Sequence, residues 1–267
     1  MFSSLFQTAV GPGTNRSSAG VVKLSAMDPG DLDVEWLIAP NPGPMTLEGT
    51  NTYLVGRDPA VVIDPGPADS GHIEAVRAEA EVRGGIGTVL ITHGHGDHTG
   101  GVETLGIEPE RPSDGDVVAG LETIATPGHS ADHLCFLLRD QGACFTGDLI
   151  LGEGSTIVPP REGGGSLLDY MRSLERLRAL DLRVLYPGHG PEVNDPRAKI
   201  DEYIEHRMMR ERKLVAALER GERSRAALLA EVWDDVPEEL RGAAAVAMQA
   251  HLEKLADEGR LPDDLRD

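Results

Sequence analysis

The chain is short of aromatic side chains, which make up 4% of its 267 residues, so small aliphatic groups must fill whatever core it builds. The same scarcity leaves few rings on which the bases of a single-stranded nucleic acid could stack. Cysteine is rarer still, with only Cys135 and Cys144 present. They fall on the two arms of a hairpin turning at 140–142, where packed, reduced thiols of a cytoplasmic protein are expected rather than a cross-strand disulfide. No stretch approaches the ~18 consecutive apolar residues of a membrane-spanning helix. The first 26 residues lack a basic segment leading into a sustained apolar core, and residues 1–28 are read as a mobile arm, not a secretion signal. Positive charge is also short: 25 Lys and Arg against 45 Asp and Glu give a net charge of −20. That balance argues against a double-stranded DNA partner or an anionic membrane surface.

Against those absences stands a dense cluster at residues 92–101, THGHGDHTGG, directly after the apolar run 88–91 that reads as a buried strand. His93 and His95 alternate along extended backbone and so share a face. Gly94 and Gly96 allow a turn tight enough to bring Asp97 and His98 to the same place. Taken singly, each histidine is an ordinary polar residue, and Asp97 an ordinary helix cap. Together they offer the imidazole and carboxylate donors that suit zinc.

The same device recurs along the chain. Strands are expected over 33–38, 46–56 and 60–64, the third ending at Asp64 before Pro65 and Gly66. Asp64 either caps the amphipathic helix expected over 70–83 or hydrogen-bonds a ligating imidazole and fixes its tautomer. Later strands end at His129 after Pro127-Gly128, at Asp148 after Gly147, and at His189 after Pro187-Gly188. His93, His95, Asp97, His98, His129, Asp148 and His189 are thus seven candidate ligands at four strand ends, enough for two zinc ions sharing one carboxylate. The Gly- and Pro-rich loop 152–166 reads as a mobile rim, and a helix is expected over 167–180.

These residues resemble the metallo-beta-lactamase superfamily, whose HxHxDH signature stands here as His93-Gly94-His95-Gly96-Asp97-His98, with His129, Asp148 and His189 following in order. The resemblance spans about residues 30–195 and implies an α/β fold, a four-layer αββα sandwich with metals at one edge. It implies a first zinc on His93, His95 and His129 and a second on Asp97, His98 and His189. Asp148 would bridge them, and a hydroxide between the ions would be the nucleophile; other divalent metals are conceivable. Asp97 and Asp148 are then the catalytic carboxylates. Asp148 stands where zinc beta-lactamases generally carry Cys, which makes lactam hydrolysis the weaker reading. The runs NPGPMTLEGTNTYLVG, TPGHSADH, GDLILGEGST and YPGHGPEV are similar to the beta-lactamase-like protein two group, which includes an endoribonuclease acting on single-stranded RNA. The short spacer between His98 and His129 departs from these relatives. The narrower resemblance puts single-stranded RNA first as the expected substrate, with hydrolysis of a small thioester or ester, or weakly of a lactam, as the alternative, a non-hydrolytic metal-binding protein as the outside alternative and a homodimer as a possible assembly.

Three divisions follow: the arm 1–28, a catalytic domain 29–195, and a helical, winged-helix-like domain 196–267. Helices are expected over 196–221, from the cap Ser224 to Trp233, and over 243–258. Arg207, Arg210, Arg212, Lys213, Arg220, Arg223 and Arg225 form the one concentrated basic region. It either contacts RNA phosphates or pairs along the helix surface with Glu205, Glu211, Glu219 and Glu222.

Overall fold

The structure is a computed structural model that describes residues 33–265, so the expected arm 1–28 lies outside the described residues. Strands β1 (Val34–Ile38), β2 (Asn51–Val55) and β3 (Ala60–Ile63) form an antiparallel meander. The chain then crosses through α1 (Ser70–Val82) to β4 (Ile86–Leu90), which lies parallel to β3. Two single-turn helices, α2 (Gly96–Thr99) and α3 (Val102–Leu105), follow. The second half repeats this plan. Strands β5 (Val117–Val118), β6 (Leu121–Ala125), β7 (Leu134–Leu138) and β8 (Ala143–Gly147) run antiparallel, and α4 (Leu167–Arg178) crosses over to β9 (Val184–Pro187), parallel to β8.

Because side chains alternate across a strand, each sheet presents one apolar set inward and another outward. Tyr53, Val55, Val61, Ile63, Phe136, Phe145 and Tyr186 meet between the two sheets. Leu54, Val62 and Val89 face the other way and pack under Ile73, Val76 and Ala80 of α1. Cys135, Leu137, Cys144 and Leu185 pack under Tyr170, Leu174 and Leu177 of α4. Helix, sheet, sheet, helix is the resulting order of layers, as expected from the sequence. The few aromatics are concentrated between the sheets, where Phe145 stacks on Tyr186 at 5.1 Å.

Cys135 and Cys144 are both buried free thiols. Leu137, not Cys135, is the residue paired with Cys144 across the hairpin. The expectation of packed thiols holds.

Past the sandwich come α5 (Pro196–Glu219), α6 (Arg225–Val232) and α7 (Arg241–Asp257). Asp195 caps α5 through the Ala198 N–H, with Pro196 at the start of the helix, and Ser224 caps α6 through the Ala227 N–H. Leu214, Leu218, Leu228, Trp233, Met248, Leu252 and Leu255 give these helices a core of their own. No described helix is long and apolar enough to cross a membrane.

The loop 152–166 is part buried and part exposed: Thr156 and Val158 are buried, residues 161–164 are exposed, and 161–163 form a turn of 3-10 helix. Of the two readings of the basic region, the structure shows pairing within the fold. Arg207 and Arg210 are buried, Arg210 making a two-pronged contact to Asp235, while Lys213 pairs with Asp234, Arg220 with Glu231 and Arg223 with Asp264. Of the glutamates expected as partners, Glu205 pairs with Arg212, whereas Glu211 takes Lys254 and Arg260.

Candidate metal centre

All seven candidate ligands converge at one edge of the sandwich. His93 and His95 leave the end of β4, Asp97 and His98 ride on α2, His129 follows β6, Asp148 follows β8, and His189 follows β9. Their ligand atoms form three groups, each within 4.8 Å: His93, His95 and His129; His93, His98 and Asp148; Asp97, His98 and His189. His95 is exposed and Asp97 half-buried, while the remaining five are buried.

Neighbouring groups decide which ring nitrogen faces the centre. Thr92 Oγ1 donates to Asp64 Oδ2 at 2.7 Å and so accepts from His93 Nδ1–H at 3.1 Å. His98 Nδ1–H donates to Asp64 Oδ2 at 2.8 Å, His129 Nδ1–H to the Ile157 carbonyl at 2.8 Å, and His189 Nδ1–H to the Gly49 carbonyl at 3.1 Å. Each of these four imidazoles is therefore held from outside and turns Nε2 inward. His95 turns Nδ1 inward, 2.9 Å from His93 Nε2 and 3.0 Å from His129 Nε2. The two alternatives for Asp64 are thereby decided: Asp69 caps α1, and Asp64 holds His98 and Thr92.

Charges inside the cluster follow from burial and proximity. Burial pushes His93 far below the ordinary imidazole range and His129 down to about 4, so both are neutral. Burial opposes a charge on His98 as well, but the Asp148 and Asp64 carboxylates outweigh it and raise its pKa. His189 is raised to about 9 in the same way, its burial outweighed by Asp148 and Asp97. Asp148 is held well below the carboxylate range, because His98 and His189 overcome the cost of burying it.

The donor set fits divalent cations. His98 Nε2 and Asp148 Oδ1 are buried, 3.5 Å apart, and neither has a hydrogen-bond partner. They face each other as an ion pair too long for a hydrogen bond, the arrangement of two donors to one cation. Gly188 keeps that place open: a Cβ there would sit 2.6 Å from Asp148 Oδ1 and 2.7 Å from His98 Cε1. Gly147 has φ +46, and a Cβ on it would meet Thr92 Oγ1 at 2.6 Å, so the bend that presents Asp148 requires glycine.

His133 was not singled out as a site residue from the sequence, although it lies four positions after His129 in the run TPGHSADH. It is buried, its ring stacks on His93 at 5.2 Å, and its Nε2 accepts the Asp148 N–H at 3.2 Å. Its Nδ1 is 2.8 Å from Thr126 Oγ1. Asn51 was also passed over. Its side-chain amide donates to the Pro187 and Gly190 carbonyls at 2.9 and 2.8 Å and so braces the turn that carries His189.

Comparison with known proteins agrees with this architecture. Residues 45–108 and 107–189 match the metallo-beta-lactamase superfamily, and residues 224–264 match the beta-lactamase associated winged helix domain. A beta-lactamase-like protein 2 homolog from Caenorhabditis elegans is 37% identical over 253 residues, covering 84% of each chain. An atrochrysone carboxyl ACP thioesterase from Aspergillus fumigatus is 37% identical over 251 residues, covering 85% of this chain and 74% of its own. Among solved structures, a metallo-beta-lactamase family protein from Thermus thermophilus superposes with a TM-score of 0.68 at 26% identity, covering 85% of this chain and 94% of that one. A beta-lactamase domain protein from Burkholderia ambifaria, with a TM-score of 0.73 at 19% identity over 86% of this chain and 89% of its own, shares the fold. The chain therefore belongs to the metallo-beta-lactamase superfamily of metal-dependent hydrolases and carries that family's associated winged helix at its C-terminus.

Proposed function

We propose that this chain is a dinuclear zinc hydrolase whose substrate is a small thioester or ester. The observation that carries the metal reading is the pair of orphaned, facing atoms His98 Nε2 and Asp148 Oδ1 within a convergent set of imidazoles. His93, His95 and His129 would hold one ion, Asp97, His98 and His189 the other, and Asp148 would touch both. Two divalent cations at about 3.5–4 Å acidify water to near neutrality and offset charge developing on the substrate. Asp64, Ile157 O and Gly49 O keep the imidazoles fixed from behind, so little reorganisation is needed during the reaction. Asp97, half-exposed and 3.3 Å from His189 Nε2, is the carboxylate placed to orient a reacting water.

The internal pairing of the basic region supports the small-substrate reading. Arginines already engaged by Asp235, Glu231 and Asp264 are poor phosphate contacts, and the chain carries a net charge of −20. Relatives named as acyl-carrier-protein thioesterases point the same way. Single-stranded RNA is the second reading, favoured by the 37% identity with a beta-lactamase-like protein 2 homolog and the similar sequence runs. Metal-replete protein should be assayed on an acyl-glutathione, an acyl-phosphopantetheine, single-stranded RNA and a lactam. Thioester cleavage is the expected result; RNA cleavage with thioesters untouched would replace the substrate reading, and inactivity on every substrate would favour a non-hydrolytic metal protein.

Protons and metal compete at this centre. With His98 and His189 raised, the metal-free site carries a proton on each at neutral pH, and metal uptake must displace them. Affinity should rise with pH as both protons are given up, His189 having lost half of its own at about 9. Zinc titrations in weak buffer with a pH indicator should show proton release at pH 7, and a pH-independent affinity would contradict the assignment.

A further inference from the structure

We infer that Arg207 is a positioning residue for His129, acting from α5 through the backbone of residues 155–157; the inference rests on the metal reading above. Helix α5 lies between the two regions that match known families. Nothing in those matches ties it to the centre.

Arg207 is 5% exposed although it belongs to the one basic region of the sequence. Its Nη2 donates to Ser155 Oγ at 3.0 Å and to the Thr156 carbonyl, and its guanidinium lies over the Tyr170 ring, 5.5 Å from the centroid. The next atoms along the loop meet the histidine. Ile157 O accepts His129 Nδ1–H at 2.8 Å, and Thr156 Oγ1 lies 3.3 Å from the same nitrogen. One cation thus holds the segment that holds the ring, both bonds leaving the same nitrogen while the guanidinium plane lies over Tyr170.

Three further contacts from the C-terminal helices keep this loop in register. Tyr203, one turn before Arg207, accepts the Leu151 N–H at 3.0 Å. At the other end, Glu253 of α7 accepts the Arg161 N–H at 2.9 Å, and Asp257 pairs with the Arg161 guanidinium. Tyr170 completes the frame from below: it packs so closely on Gly128 that a Cβ there would lie 2.4 Å from the Tyr170 Cα. His129 is therefore gripped between a glycine pressed on α4 and a carbonyl set by α5. The C-terminal helices are, on this reading, part of the metal centre's frame.

The test compares the wild type with R207M, R207K and, on the same helix, the control K213M, which breaks an exposed pair between Lys213 and Asp234 beyond α6. Zinc stoichiometry and affinity are read by chelator competition, and the His129 Nδ1–H by 15N-imidazole NMR. R207M should weaken one of the two ions about 10- to 100-fold, the range for loss of a group that orients a ligand, and shift or broaden the His129 resonance. R207K, keeping the charge but not the planar group over Tyr170, should fall between, and K213M should match the wild type. Should R207M fail to fold, R207K decides alone. Wild-type affinities and an unchanged resonance in R207K and any folded R207M overturn the inference. A wild type that takes up no metal would instead remove the reading on which the inference rests.

Discussion

Asp148→Asn is expected to leave a folded protein that hydrolyses its substrate roughly a thousandfold more slowly or not at all, the scale on which a single electrostatic group at a reacting centre acts. The carboxylate is 8% exposed and lies 3.5 Å from His98 Nε2, 3.4 Å from His189 Nε2 and 3.7 Å from His129 Nε2, so it borders both ligand groups. An amide of the same shape keeps the packing and removes the charge. Its backbone N–H bond to His133 is retained. Two consequences separate this from simple unfolding. The variant should bind fewer than two ions, and in the metal-free protein His98 and His189 should lose the carboxylate that raises them and titrate lower. A variant with wild-type kcat and full metal content would refute the central role of Asp148.

Gly188→Ala is the second substitution with a large expected effect, although it alters no ligand. The added methyl would come within 2.6 Å of Asp148 Oδ1 and 2.7 Å of His98 Cε1, closer than a Cβ comes to such atoms in folded proteins. Backbone relief is blocked on both sides, because Gly188 N donates to Gly147 O and Gly188 O accepts Asn51 N, each at 2.8 Å. Either ligand must move, and a displacement near 1 Å at such a centre costs about a hundredfold in rate. The Asp97, His98 and His189 group should lose its ion first, while His93, His95 and His129 retain theirs. Metal analysis and kcat of the variant check this. Full activity would show that the space between Asp148 and His98 is not used.

The candidate ligands were legible in the sequence because each sits where a strand is broken by glycine or proline, and β6, β8 and β9, running in one direction, deliver such ends to one edge. The sandwich was implied by the family resemblance, and the strands agree with it, since Tyr53 and Leu54, or Cys144 and Phe145, face opposite layers. What stayed open depended on distance along the chain. Asp64 could be assigned only when its partner His98, 34 residues away, was seen against its Nδ1. Arg207 read as a surface charge because nothing in α5 itself reveals that Tyr170 and the carbonyl of Thr156 lie over that face. His133 stands beside a recognised ligand, but local pattern does not distinguish a ring that binds from a ring that supports the Asp148 backbone. The loop 152–166 reads as a mobile rim by composition, and that α5 and α7 hold its residues Ser155 and Arg161 is not visible within the loop itself.

The most direct test of the account is the metal content of the full chain, purified without chelator and dialysed against metal-free buffer. About two divalent ions per chain, mainly zinc, are expected from seven ligands in a two-ion arrangement. A protein that retains none and takes up none when zinc is supplied would contradict it.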